Sequence, residues 1–235
     1  MAEPLLGPSG VLGDAGGSGT LDLGGATVDL ARPLEVRAGG TKTVRNGTLR
    51  WTGGDKGGLG YKGGYGVFVA GAGARLVLEG VTVVGTGVRV GGGGHARLAR
   101  CAVRDAPRTG VLAHGLGGRV EVEGGIVSGS KEYDGICAQH GGHAVVKDVR
   151  VEDNQRCGVF VHGQGSRVEL EGGSVSGSKR FHGIIAQHGG RAVVKGAQIS
   201  SCARYGLCRD GDDSHMEVGD GVTIWGCGQG DRHGC

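Results

Sequence analysis

Aromatic residues and proline are both scarce in this 235-residue chain, which holds 2 Trp, 4 Tyr, 3 Phe and 4 Pro. The lack of proline, and of glycine at every third position, excludes a collagen-like triple helix. Few aromatics would suit disorder, but Val, Leu, Ile and Ala recur in short alternating runs and the net charge is only +3. That charge, from 26 basic and 23 acidic residues, gives no bulk case for nucleic acid, so any electrostatic role must come from charge placement. No run of ~18 apolar residues offers a membrane span. The opening MAEPLLGPSG lacks the basic and apolar regions of a secretory signal, and an intracellular setting is expected. The 7 Cys are odd in number and lack the spacing of a disulfide framework, so reduced thiols are expected.

Glycine dominates what remains, with 56 residues. Gly costs ~1 kcal/mol against Ala inside a helix, so a helical bundle is disfavoured. The glycines punctuate a repeat. Residues 110–157 and 158–205 align without gaps, with 28 of 48 positions identical. Each block divides into units of 25 and 23 residues, and units begin at Gly66, Gly87, Gly110, Gly135, Gly158, Gly183 and Gly206. Every unit opens Gly-[Val/Ile/Leu]-x-[Val/Ala], except that Arg209 breaks the last. A turn, a second alternating run, a one-residue corner and a third short run follow.

Three short strands cannot bury an apolar face alone, but stacked units can. One inward column reads Val67, Val88, Val111, Ile136, Val159, Ile184, Leu207. A second reads Leu78, Leu98, Val122, Val146, Leu170, Val194, Val218. The corner holds Asn46, Gly80, Arg100, Gly124, Asp148, Gly172 and Gly196, residues that suit one left-handed position per rung, with Arg100 the exception. An all-β, single-stranded parallel coil of about 8–9 rungs is expected over residues 20–226, between a Gly/Ser-rich segment 1–19 and a tail 227–235.

On these features residues 20–226, with opening rungs in LDLGGATVDL and TKTVRNGTLRW, resemble the right-handed parallel β-helix (pectate-lyase-like) superfamily. In polysaccharide-active members, substrate lies along the groove over the first strand. The outward column there is His114, Gln139, His162, Gln187 and Asp210, with His140 and His188 beside the glutamines. His and Gln suit hydroxyl recognition, and His can exchange protons near neutral pH. The superfamily's catalytic elements do not carry over. No Asp lies in a first strand before Asp210, Asp212-Asp213 alone matches a polygalacturonase element, and the groove lacks paired carboxylates.

Three further columns stand out. A basic ridge opens the second strand: Arg75, His95, Arg119, His143, Arg167, Arg191, His215. It reads either as an anion site or as a copied solubilising charge that nearby Glu residues neutralise, the second being favoured. Four positions on, Glu79, Glu123, Lys147, Glu171 and Lys195 suit pairing between rungs. By strand parity Leu112, Cys137, Phe160, Ile185 and Cys208 should face outward as an apolar interface stripe, unless segment 52–65 or the closing loops fold over it. Those loops carry Lys131, Tyr133, Arg156, Lys179, Arg180, Phe181, His182, Arg204 and Tyr205, and segment 52–65 carries Lys56, Tyr61, Lys62 and Tyr65.

No cofactor is called for. Asp210, Asp212 and Asp213 are a weak calcium candidate, and Cys227, His233 and Cys235 are too few for a closed zinc site. Neither end carries a capping helical period, which invites pairing with a partner or a second copy. The reading is a non-catalytic structural or interaction module of a larger assembly. The alternatives are a polysaccharide lyase, hydrolase or epimerase, or a carbohydrate-binding module. A protein partner or a second copy is expected, an acidic polysaccharide is the ligand the alternatives would take, and nucleic acid and membrane are disfavoured.

Overall fold

The protein's structure, a computed structural model, describes residues 18–53 and 64–234, which form parallel strands and no helix. The segment 1–17, the loop residues Lys56, Tyr61 and Lys62, and Cys235 lie outside the described residues. First strands run from Leu34–Val36 through Val67–Ala70, Val88–Gly91, Val111–His114, Ile136–Gln139, Val159–His162 and Ile184–Gln187 to Tyr205–Asp210 and Gly230–His233. They stack in a nine-stranded sheet, so the coil makes about nine turns. Second and third strands share a second, fourteen-stranded sheet. In the early rungs they run on through the corner, as in Arg75–Val84 and Arg119–Ser128. From His143–Lys147 and Arg150–Glu152 onward they separate.

Register is what the repeat demands: Val111 pairs with Ile136, Ile136 with Val159, Val159 with Ile184 and Ile184 with Leu207. All seven residues of this inward column are fully buried. Leu78, Leu98, Val122, Val146, Leu170 and Val194 face them, joined by Val83, Val103, Val127, Val151, Val175 and Ile199 of the third strands. Each added rung therefore covers the apolar face of the one before it, the source of stability in a solenoid.

The seven corner residues all hold positive φ, and Arg100, at 53°, follows the glycines despite its side chain. A left-handed L-residue costs ~1–2 kcal/mol, so closing the corner outweighs local preference. One such corner per rung was expected, but a second follows the third strand, at Gly85, Asp105, Gly129, Asp153, Gly177, Ser201 and Gly226. The unit-opening glycines serve packing instead. A Cβ on Gly110 would meet Val127 Cγ1 at 2.7 Å and the Gly135 carbonyl oxygen at 2.8 Å.

Candidate functional site

The apolar stripe over the first strands is not exposed. Leu112, Cys137, Phe160, Ile185 and Cys208 pair rung to rung as expected, yet at most 9% of any of them meets solvent. With Tyr65 and Cys157 they form a second apolar cluster, outside the coil, against which Phe181 and Tyr205 pack. Strand parity is therefore right about direction and wrong about exposure, because the closing loops fold back over the strand. The interface role expected of this stripe loses its basis.

The covering is an ordered ladder. From Gly110 onward, the residue two before each unit-opening glycine reads Arg108, Tyr133, Arg156, Phe181, Arg204, alternating cation and ring. Arg108 lies 5.2 Å from the Tyr133 ring centroid. Arg156 lies 5.7, 5.5 and 5.3 Å from those of Tyr133, Phe160 and Phe181. Arg204 completes the ladder 4.8 Å from Phe181. These distances fall inside the ~6 Å range of cation–π attraction.

Toward the middle of the coil this ladder and the first-strand turns enclose a cleft of about 220 Å³. Leu112, Cys137 and Phe160 line it together with His114 and Gln139 from the groove column. Arg108, Tyr133 and Arg156 come from the ladder, Tyr65, Thr109 and Asp134 from the loop position next to it, and Arg89 from a neighbouring first strand. Sites for drug-sized ligands are ~300–1,000 Å³, so this one suits a single small group of a longer molecule. Sequence reasoning reached His114, Gln139, Tyr133 and Arg156 but gave Arg89, Arg108 and Asp134 no role in a site. The signal was present, since Arg108 heads the alternating column.

Among the described residues, Asp134 is the only carboxylate lining the cleft. Burial raises its pKa to about 6, against the opposing pull of Arg156 and of the Cys157 N–H, which donates to Oδ1 at 3.1 Å. Burial, reinforced by Asp134, also pushes the Cys137 and Cys157 thiols well up, so neither is a nucleophile near neutral pH. Burial lowers His114, with Arg89 and His140 adding to the effect.

Beyond the cleft the groove column continues. His114, His140, His162 and His188 form a row over consecutive rungs, with ring centroids 5.1, 6.0 and 4.9 Å apart. Gln187 Nε2 lies 3.2 Å from His162 Nδ1, and Asp210 closes the column at the exposed end of its strand. Among the described residues no group of three or more His, Cys, Asp or Glu is arranged to hold a metal ion, Asp210, Asp212 and Asp213 included.

The seven ridge residues stack in register on the second-strand face. Glutamates on that face meet five of the seven: Glu121 lies 2.9 Å from Arg119 and 3.5 Å from His95, Glu169 2.7 Å from Arg167 and 3.1 Å from His143, and Glu217 3.0 Å from Arg191. The neighbouring column joins Lys147 to Glu171 at 3.7 Å, and Glu123 turns to Arg97 at 2.8 Å.

Stacked parallel coils around one apolar core define a β-solenoid. Within that class, the model for the right handed beta helix region matches residues 65–222, and the chain belongs to this family. A solved structure, the TibC-catalysed hyper-glycosylated TibA 55–350 fragment, is similar at 16% identity over 95% of this chain and 94% of that one, with a TM-score of 0.23. So loose an overlap carries no argument. No curated protein sequence matches the chain.

Proposed function

We propose that this β-helix is a binding module that holds an acidic saccharide in the cleft over its first strands and does not turn it over. The observation that carries the reading is the pair of unlike walls. Arg108 and Arg156, set on aromatic rings, face His114 and Gln139 across an apolar floor. Guanidinium groups recognise carboxylate or sulfate with planar, charge-assisted hydrogen bonds. Rings supply stacking faces, and Gln and His supply hydroxyl contacts. Arg156 enters none of the ion pairs of the second-strand face; its charge acts within the cleft, where it also pulls on the Asp134 carboxyl. A single carboxylate among the described lining residues supports binding over glycoside hydrolysis, which ordinarily uses two.

The test compares a uronic-acid hexasaccharide with its carboxyl-reduced neutral counterpart, by calorimetry and by mass analysis of the sugar after prolonged incubation. The acidic sugar is expected to bind and to weaken with salt. Arg108→Gln is expected to lose about tenfold in affinity, the worth of one charge-assisted contact. Equal binding of both sugars overturns the acidic-ligand reading. Shortened or unsaturated products would overturn the non-catalytic reading and make Asp134, with its raised proton affinity, the first proton donor to replace.

A further inference from the structure

The row of imidazoles beside the cleft is built at a cost. In the seven rungs from Val67–Ala70 to Tyr205–Asp210, the turn residue after the first strand holds positive φ, and it is glycine at Gly71, Gly92, Gly115, Gly163 and Gly211. In the remaining two of these rungs it is His140, with φ 55°, and His188, with φ 51°. A non-glycine there costs ~1–2 kcal/mol, and such outliers concentrate where a side chain is needed. Both side chains land in the same place, His140 between the rings of His114 and His162, and His188 against His162.

The surroundings of the row differ from those of the ridge histidines. Glu169 meets His143 at 3.1 Å and Glu121 meets His95 at 3.5 Å. Around the groove row the neighbours on the N-terminal side are Arg89 and Gln139, and in the middle Phe160, whose ring stacks on His162 at 5.7 Å, and Gln187. On the C-terminal side, Asp210 follows Gln187 in the column, and Asp213 Oδ2 lies 3.4 Å from the Cβ position of Gly189. His182, in the loop column, faces Arg204, His233 and Asp210. His114, His140 and His162 thus stand among cations, amides and rings; the carboxylates about the row are Asp134, which lines the same cleft as His114, and those past His188.

We propose that this row is a proton-gated extension of the anion site: an acidic saccharide chain lying along the coil binds together with protons taken up by His114, His140 and His162. The proposal rests on the cleft's being an acidic-saccharide site. The imidazoles of His114, His140 and His162 follow one another at 5.1 and 6.0 Å between ring centroids, with Arg89 at the His114 end, so like charges placed on neighbouring members of the row repel. Burial and the neighbouring cations and imidazoles hold His114 and His162 below the ordinary histidine value in that state. A carboxylate chain laid over them, ionised down to about pH 4, supplies the missing counter-charge and raises their proton affinity. Binding therefore takes up protons and tightens as pH falls toward the free-state titration. Successive rungs rise ~4.8 Å, so the row meets a chain running parallel to the coil axis.

The experiment titrates the protein with the uronic-acid hexasaccharide at pH 7.5 and 5.5, in buffers of different ionisation enthalpy, so that protons taken up are counted directly. The expected result is about tenfold tighter binding at pH 5.5, with net uptake of about one proton. The variant His140→Gly, His162→Gln, His188→Gly uses only residues that neighbouring rungs already place at those positions. It should melt at or above the wild-type temperature, because glycine relieves both left-handed turns, and its pH 5.5 to 7.5 affinity ratio should fall to about twofold. Equal affinity at both pH values, or an undiminished ratio in the variant, overturns the proton gate and leaves the cleft standing. No binding at either pH overturns the cleft and the gate together. Imidazole signals of His114 and His162 in the free protein should titrate below 6.5 by NMR; titration above that value overturns the gate without any ligand.

Discussion

Arginines occur on two faces of this coil, in different settings. On the second-strand face Arg119, Arg167 and Arg191 each lie within about 3 Å of a glutamate. Over the first strands Arg108, Arg156 and Arg204 lie on aromatic rings. The first arrangement cancels charge and fixes register. The second stores charge above an apolar floor, where water is partly excluded and each guanidinium acts more strongly on whatever enters. A solenoid repeats every position in both faces, so a basic column does not by itself say which of these it serves. What distinguishes them is the residue beside it, a glutamate two places along the strand or a ring one rung away.

The sharpest way to break the contrast is to remove the floor. Phe160 is buried, stacks on His162 and lies beneath Arg156. Phe160→Ala should cost about 3 kcal/mol in urea unfolding, the low end for a buried aromatic. A loss below 1 kcal/mol would mean that the covering loops do not hold the stripe shut.

Asp134 sharpens the comparison through pH. Its carboxyl titrates at about 6 in the folded protein against 3.8 without burial, so the native state binds the proton more tightly. Stability contributed by that proton is present below the unfolded value and lost as pH rises toward 6, by about 3 kcal/mol at most. Asp134→Asn keeps an acceptor for the Cys157 N–H and removes the titration. The variant should therefore be more stable than wild type at pH 7.5, with a shallower decline between pH 4 and 6. Equal slopes in parallel urea titrations would remove Asp134 as the cause. The ridge glutamates act in the opposite sense. Burial alone would raise Glu169, but Arg167 and His143 outweigh it and hold it low, so its contribution persists above the ordinary Glu range and fades on acidification.

How much of this was legible follows from where each force acts. The coil, its inward columns and its first corner could be read because strand pairing acts on fixed spacings, and a gapless 48-residue duplication displays those spacings directly. The corner even overrode the dissent of Arg100. The cover over Leu112–Cys208 could not be read from strand parity, which describes only the strand's own alternation, whereas Tyr133, Arg156 and Phe181 arrive from loops of 23- to 25-residue units. Asp134 was visible as a loop acid, but its proton affinity comes from burial, which only the folded chain supplies. The second left-handed corner was missed because Asp105, Asp153 and Ser201 break its run of glycines.

Arg100 offers a smaller test. Its left-handed backbone lies at a corner where Gly80 and Gly124 flank it in the adjacent rungs. Arg100→Gly should therefore stabilise the protein by about 1 kcal/mol. Destabilisation would show that the Arg100 side chain holds the corner in a way the glycines do not need to, and the groove histidines at positive φ would then require the same scrutiny.

The smallest effect should come from the ridge. Glu169 is the shared partner of His143 and Arg167, and its side chain is 39% exposed. Exposed pairs of this kind are worth ~0.2–1 kcal/mol, and salt screens them. Glu169→Gln should cost less than about 1 kcal/mol, and the difference should shrink further at high salt. The two faces then part on a second measurement. Freed of Glu169, Arg167 keeps its charge without that acid, yet it has no ring-lined floor. If acidic saccharide binding stays unchanged in this variant while Arg108→Gln weakens it, then charge alone does not make the site. If Glu169→Gln instead creates a second binding site of similar affinity, the aromatic setting of the arginines is incidental, and the contrast between the faces reduces to where glutamates happen to stand.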